Sequence, residues 1–147
     1  MMLVRMVADD VNEVLAIETT VFPHPWSRAN FLDSLVSGYD AWVLRDDENT
    51  MAGYVVVMMG VDEAHLLNIA VRRDGQGQGA GRCLMAQALT IARTKQALQM
   101  LLEVRPSNTH AVAVYRHYGF SEIGRRKNYY PAANNAREDA LMMSLPL

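Results

Sequence analysis

Four of the nine glycines in this chain, Gly75, Gly77, Gly79 and Gly81, occupy alternate positions in one short segment. Glycine lets a backbone approach a ligand closely, and successive N–H groups in such a turn can converge on an anion. An apolar strand pattern precedes the turn and an amphipathic helix pattern follows it. The helix start therefore adds unpaired donors and the positive end of its dipole. A pyrophosphate is the natural guest. Two further residues have chemistry in their type and setting. Glu103 interrupts the apolar run Met100-Leu101-Leu102-Glu103-Val104, and Tyr115 lies in a helical pattern whose other face holds Val112 and Val114. A carboxylate held among apolar groups is a stronger base than a solvated one, and a phenol can protonate a leaving group of comparable basicity. Each residue also has a plain alternative: Glu103 alternating outward into water, and Tyr115 as a core tyrosine with a satisfied hydroxyl.

The ending of the glycine turn narrows its guest. A Walker loop closes on Gly-Lys-Ser/Thr, whereas this one closes on Gly81-Arg82-Cys83. A dinucleotide fingerprint needs a third glycine three residues after the second, and from Gly77 that position is Ala80. The turn also falls in mid-chain, after a set of strands, and not in the first unit of a Rossmann domain. What remains is Gln76-x-x-Gly79-x-Gly81, preceded by Arg72 and Arg73.

The elements that must carry these residues alternate along the chain. Leu3 to Val7 reads as a short strand. Asp10 and Glu13 have capping-box spacing ahead of a helix that continues through Val11, Val14, Leu15 and Glu18. Phe22-Pro23-His24-Pro25-Trp26 cannot be regular helix, and Ser27 can cap a second helix running toward Gly38. Ala41 to Arg45, Met51 to Met59 and His65 to Val71 read as strands joined by turns. A helix is expected from about Gly79 to Lys95, a strand from Met100 to Val104, and a helix opened by Pro106 and Ser107 that ends at Gly119. Phe120 to Arg126 and Asp139 to Leu145 close the chain as strands. The fold class is α+β: a mostly antiparallel sheet flanked by helices, with one parallel pair implied by the strand-helix-strand unit from His65 to Val104.

At 147 residues, half of them hydrophobic, the chain reads as one domain, 1–147, with a sizeable core. A net charge of −2 disfavours a broad nucleic-acid surface, although Arg125, Arg126 and Lys127 form a local basic patch. Cys83 is the only cysteine, which excludes an internal disulfide and suits a reducing cytoplasm. The N-terminus does not read as a signal peptide, and the longest apolar stretch, Tyr54 to Met59, is too short to span a bilayer. His24, His65, His110 and His117 lack metal-ligand spacing, so no metal is expected. Cys83 reads as a small apolar group and not a nucleophile, since no His-Asp pattern accompanies it. Trp42 reads as core, and Trp26 as a candidate lining residue for a peptide groove.

The glycine turn resembles the acetyl-CoA pyrophosphate loop of the GNAT superfamily of N-acetyltransferases. Leu67-Asn68-Ile69-Ala70-Val71 is similar to that superfamily's pantetheine-binding strand. Asn108 to Phe120 resembles its next motif, Asn-x-x-Ala-x-x-x-Tyr-x-x-x-Gly-Phe. Across nearly the whole chain the likeness is to the ribosomal-protein-alanine N-acetyltransferases (RimI type). The segments Pro25-Trp26-Ser27, Glu103-Val104-Arg105-x-Ser107-Asn108, Arg126-x-Asn128-Tyr129-Tyr130-Pro131 and Arg137-Glu138-Asp139-Ala140 carry it.

The resemblance implies the GNAT fold, with acetyl-CoA as co-substrate. It implies cofactor contacts from Ile69, Ala70, Val71, Gln76, Gly77, Gln78, Gly79, Ala80, Gly81, Arg82 and Asn108. It makes Glu103 a general base acting through water, and Tyr115, not Tyr118, the general acid. The strands near Ile69–Val71 and Leu102–Val104 are expected to splay and admit the pantetheine arm. The amine would then attack directly, since no activated nucleophile is evident. The implied acceptor is the N-terminal alanine of a small-subunit ribosomal protein, met in the cytoplasm without direct nucleic-acid or membrane contact. An α-amine with a pKa of about 8 is appreciably neutral near neutral pH, whereas a lysine amine at about 10.4 is not, so one modest base suits the former. Two rival readings are an enzyme of this fold with another amine or protein N-terminus as acceptor, and a CoA-binding module without turnover.

Overall fold

A computed structural model describes residues 1–147. In chain order the elements are β1 (Met2–Arg5), α1 (Val11–Val21), α2 (Arg28–Val36), β2 (Asp40–Arg45), β3 (Met51–Met59), β4 (Glu63–Val71), α3 (Ala80–Thr94), β5 (Gln99–Val104), α4 (Thr109–His117), β6 (Ser121–Pro131) and β7 (Arg137–Pro146). The strands form one seven-stranded sheet in the order β1-β2-β3-β4-β5-β7-β6. Only β4 and β5 are parallel; every other neighbouring pair is antiparallel. The parallel pair is the one that α3 links, as a crossover connection requires.

The β-branched run at Val55, Val56 and Val57 makes β3 a strand covered on both faces. Tyr54 and Val56 face α1 and α2, packing with Val14, Ile17 and Phe31. Val55 and Val57 face α3, packing with Leu84, Ala88 and Ile91. Ser27 caps α2 as expected: its hydroxyl accepts from the Asn30 N–H at 3.1 Å, and Asn30 Oδ1 accepts from the Ser27 N–H at 2.9 Å. Gly119, at φ +103°, ends α4 in the left-handed region.

Three local expectations need correction. Asp10 stands at the N-cap of α1 but its side chain makes no capping bond; its carboxylate accepts instead from the Val7 N–H at 2.8 Å and from Arg45 Nη2 at 2.8 Å, across to β2. Pro106 and Ser107 lie in a turn, and α4 begins only at Thr109 because Asn108 is its cap, accepting from the Ala111 N–H. The last hairpin is longer than the sequence pattern suggests. β6 runs on to Pro131, past a register shift between Arg126 and Tyr130 where Asn128 takes φ +53°. That irregularity breaks the alternation by which the strand would have been read.

Candidate active site

The site begins where the parallel pair comes apart. β4 and β5 pair from Glu63–Gln99 to Leu66–Leu102, and there the pairing stops although both strands continue. Sequence and structure agree on this splay. Its local cause is a bulge. Val56 of β3 pairs with Asn68 and Val57 with Leu66, leaving Leu67 as an extra residue. Leu67 and Asn68 consequently turn to the same side, Leu67 onto the α1/α2 core and Asn68 onto Glu18 of α1. Leu66 before the bulge and Ile69 after it face the α3 core. A bulge bends its strand, and here the bend carries β4 away from β5.

A cleft of about 180 Å³ opens between the parted strands. Ile69 lines one wall, Glu103 another, and Asn108 and Tyr115 approach from α4 and the turn before it. A larger groove of about 470 Å³, bordered by Trp26, Arg126 and Tyr129, shares Leu66, Leu67, Leu102, Glu103 and Tyr130 with the cleft. The two spaces therefore meet at Glu103 and Tyr130.

Tyr115 packs its ring against Phe120, centroids 5.8 Å apart, and its hydroxyl makes no hydrogen bond within the protein. Burial pushes this phenol up to about 12, so it holds its proton throughout the neutral range. A core tyrosine normally has a partner for its hydroxyl; this one instead points its donor at a cleft. Glu103 is not enclosed among apolar groups, as its strand suggested. Its side chain is 29% exposed, and Oε1 is 3.1 Å from Arg126 Nε. The parted strands open its surroundings to the groove.

The glycine segment follows directly from the end of β4. Gly77 and Gly79 take φ +83° and +86°, conformations that side-chain-bearing residues avoid. The amides of Gln78, Gly79, Ala80, Gly81 and Arg82 donate to no protein acceptor. They are the free donors of a helix start, in a turn with nothing above Gly77 or Gly79 within 4 Å of a notional Cβ. A cradle of this kind fits a diphosphate. Within the set expected to hold a cofactor, Ala70 is buried with its side chain in the α1/α2 core, leaving only its backbone to offer. The Gln76 side chain turns back to the Val71 carbonyl at 3.3 Å, and Asn108 both caps α4 and lines the cleft. No three His, Cys, Asp or Glu side chains are grouped to hold a metal ion. Cys83 is partly buried against the α3-side core, as is Trp42.

Across the groove the β6–β7 hairpin is held by side chains. Glu138 accepts from the Ser107 N–H at 2.8 Å, the Ser107 hydroxyl at 2.9 Å and Arg105 Nη1 at 3.3 Å. Burial opposes its ionisation, but the bonds from Ser107 and Arg105 outweigh it and hold the carboxyl below its ordinary range. Arg105 also donates to the Pro131 carbonyl at 2.8 Å and lies 4.4 Å over the Tyr130 ring. Burial first, and then the nearby Glu103 charge, push the Tyr130 phenol up to about 12. Sequence reasoning missed this clamp and the Arg126–Glu103 pair. It missed Glu18 as well, whose only signal was an acid on the buried stripe Val11-Val14-Glu18.

The Acetyltransferase (GNAT) family profile matches residues 11–120. The [Ribosomal protein bS18]-alanine N-acetyltransferase of Salmonella typhimurium is 37% identical over 138 residues, covering 94% of this chain and 92% of that protein. The enzyme of the same name from Escherichia coli K12 is 35% identical over 148 residues, covering 93% and 99%. The crystal structure of the ribosomal-protein-S18-alanine N-acetyltransferase from Escherichia coli superposes with a TM-score of 0.89 at 34% identity, covering 99% of this chain and 92% of that one.

Proposed function

Because the chain belongs to the GNAT acetyltransferase family, and is therefore an N-acetyltransferase using acetyl-CoA, we propose that it acetylates the N-terminal alanine of ribosomal protein bS18 in the cytoplasm. No helix of the chain is long and apolar enough to cross a membrane. The observation that carries the mechanism is the unpartnered Tyr115 hydroxyl facing the cleft where β4 and β5 part.

The free amides from Gln78 to Arg82 take the pyrophosphate of acetyl-CoA. The open edge of β4 at Ile69, Ala70 and Val71 then pairs with the pantetheine arm and directs the thioester toward Tyr115. The peptide enters from the groove side, between Trp26 and the β6–β7 hairpin. Glu103 accepts a proton from the amine through water, and the amine nitrogen attacks the thioester carbonyl. As the C–S bond breaks, Tyr115 gives its proton to the departing sulfur. A phenol at about 12 is a weak acid in water. The same apolar walls also raise the basicity of a thiolate born beside it, so the transfer stays matched. Transfer is direct, because the only thiol, Cys83, lies against the α3-side core and does not line the cleft.

The test is mass spectrometry of two peptides incubated with enzyme and acetyl-CoA. One is the N-terminal segment of bS18 with a free alanine amine; the other is the same segment with that amine blocked and a lysine added. Acetyl on the first and not the second is expected. Modification of the lysine alone, or of neither, would overturn the assignment.

A further inference from the structure

Glu18 is a carboxylate with 2% exposure on α1, outside the chemistry described above. Its two oxygens take three donors. Oε1 accepts from the Tyr54 hydroxyl at 2.5 Å and from Asn68 Nδ2 at 2.9 Å, and Oε2 accepts from the Trp26 N–H at 2.9 Å. Its own carbonyl accepts from the Phe22 N–H at 3.0 Å. One residue therefore fastens both ends of the loop Phe22–Trp26 and ties that loop to β3 and to the bulged turn of β4. The loop contributes one wall to each space: Phe22 to the cleft and Trp26 to the groove. No lysine or arginine pairs with Glu18, and its side-chain oxygens are met by hydrogen bonds alone. A buried carboxylate so placed is costly, and a glutamine would put its NH₂ either against the Trp26 N–H or against the Tyr54 hydroxyl and the Asn68 amide together.

We propose that Glu18 is a positioning residue for the acceptor, fixing the Phe22–Trp26 loop against the bulge in β4 so that the peptide wall stands opposite the splayed strands. This rests on the acetyltransferase reading above. It assigns Glu18 to the acceptor because the loop amide its carboxylate holds is that of Trp26, which borders the peptide groove, whereas Phe22 on the cleft is held by the Glu18 backbone carbonyl, which Glu18→Gln leaves in place.

Glu18→Gln should raise the peptide KM by roughly tenfold or more, leaving kcat and the acetyl-CoA KM within about twofold. Tyr54→Phe removes one donor from the same carboxylate without touching the loop, so it should lower the melting temperature while leaving the peptide KM within about twofold. Peptide KM values that rise in both variants in step with lost stability would overturn the proposal. So would a Glu18→Gln enzyme whose kcat falls at unchanged peptide KM, or whose constants are all unchanged.

Amide hydrogen exchange on the wild-type protein decides the point even if Glu18→Gln does not fold. The Trp26 amide should be strongly protected and its loop neighbour His24 should not, whereas equal exchange at both would mean that no anchor exists. If the wild type acetylates no alanine-ended peptide, the functional reading fails, and hydrogen exchange still decides the anchor.

Discussion

The two ends of the site are built in opposite ways. The donor end is nearly all backbone and nearly contiguous: the edge of β4, the glycine turn and the first amides of α3, all between Ile69 and Arg82. The acceptor end is nearly all side chains drawn from distant parts of the chain. Glu18 holds the Trp26 loop, Glu103 of β5 meets Arg126 of β6 across the intervening β7, and Glu138 of β7 clamps Ser107 and Arg105. A backbone site depends on φ, ψ and free N–H groups, which glycine spacing encodes locally. A side-chain site depends on which strands become neighbours, which local spacing does not encode.

The contrast can be broken by substitution. The largest effect is expected at the junction of the two ends. Tyr115→Phe keeps the ring against Phe120 but removes the donor, so turnover should fall by roughly 10² or more with acetyl-CoA affinity unchanged. A Tyr115→Phe enzyme with near-normal kcat and a lowered melting temperature would return Tyr115 to the core and point to Tyr118 or water as the acid.

Glu103→Gln comes next. Its rate should fall by roughly 10² at neutral pH and partly recover at high pH, where the amine loses its proton unaided. A pH–rate profile of unchanged shape would remove Glu103 as the base.

The donor end should respond to backbone change alone. Gly79→Val forces a branched side chain into φ +86°, so the acetyl-CoA Kd should rise by about tenfold or more, with the peptide KM unchanged. Gly81 has an ordinary φ, and a Cβ there would sit 3.7 Å from Val71 Cγ2, so Gly81→Ala should bind acetyl-CoA almost normally. Isothermal titration of both variants checks the pair, and equal losses would show that bulk at the turn matters more than its backbone conformation.

Two smaller effects sharpen the acceptor end and the junction. Arg126→Gln removes an exposed ion pair, so stability should change by less than about 1 kcal/mol. A repulsive cation also leaves the path of an amine, so the peptide KM should fall a few-fold; a rise would make Arg126 a binding group. The Tyr115 phenol, raised from 10.0 to about 12 on folding, stabilises the native state fully below pH 10. That contribution is lost as pH rises through about 12. Ultraviolet titration should show one late-ionising tyrosine fewer in Tyr115→Phe, and its stability should fall less steeply over that window.

Much of the fold could be read before the structure. Met51 to Met59 was expected as a strand and is one, because its β-branched run suits a strand buried on both faces. Alternation failed where backbone irregularity intervenes, at the Asn128 bulge, so β6 is longer than its pattern. Helix capping was read one candidate too early at Pro106–Ser107, since Asn108 supplies the actual cap. Tyr115 and Glu103 were identified as candidates, but not that Glu103 stands open to the groove with Arg126 beside it. That depends on β6 pairing with β7 and β7 with β5, a long-range arrangement. Glu18 was visible only as an acid on an apolar stripe, and its role required knowing that β4 bulges at Leu67.

The central claim is that donor and acceptor meet between the parted strands β4 and β5 at Tyr115. It is tested most directly by a crystal structure of the enzyme with CoA joined covalently through its sulfur to the α-nitrogen of an alanine-ended peptide. The account predicts the pyrophosphate on the amides of Gln78 to Arg82 and the sulfur within hydrogen-bond reach of the Tyr115 hydroxyl. It also predicts the peptide running out between Trp26 and the β6–β7 hairpin. A sulfur remote from Tyr115, or a peptide leaving by another face of the sheet, would contradict it.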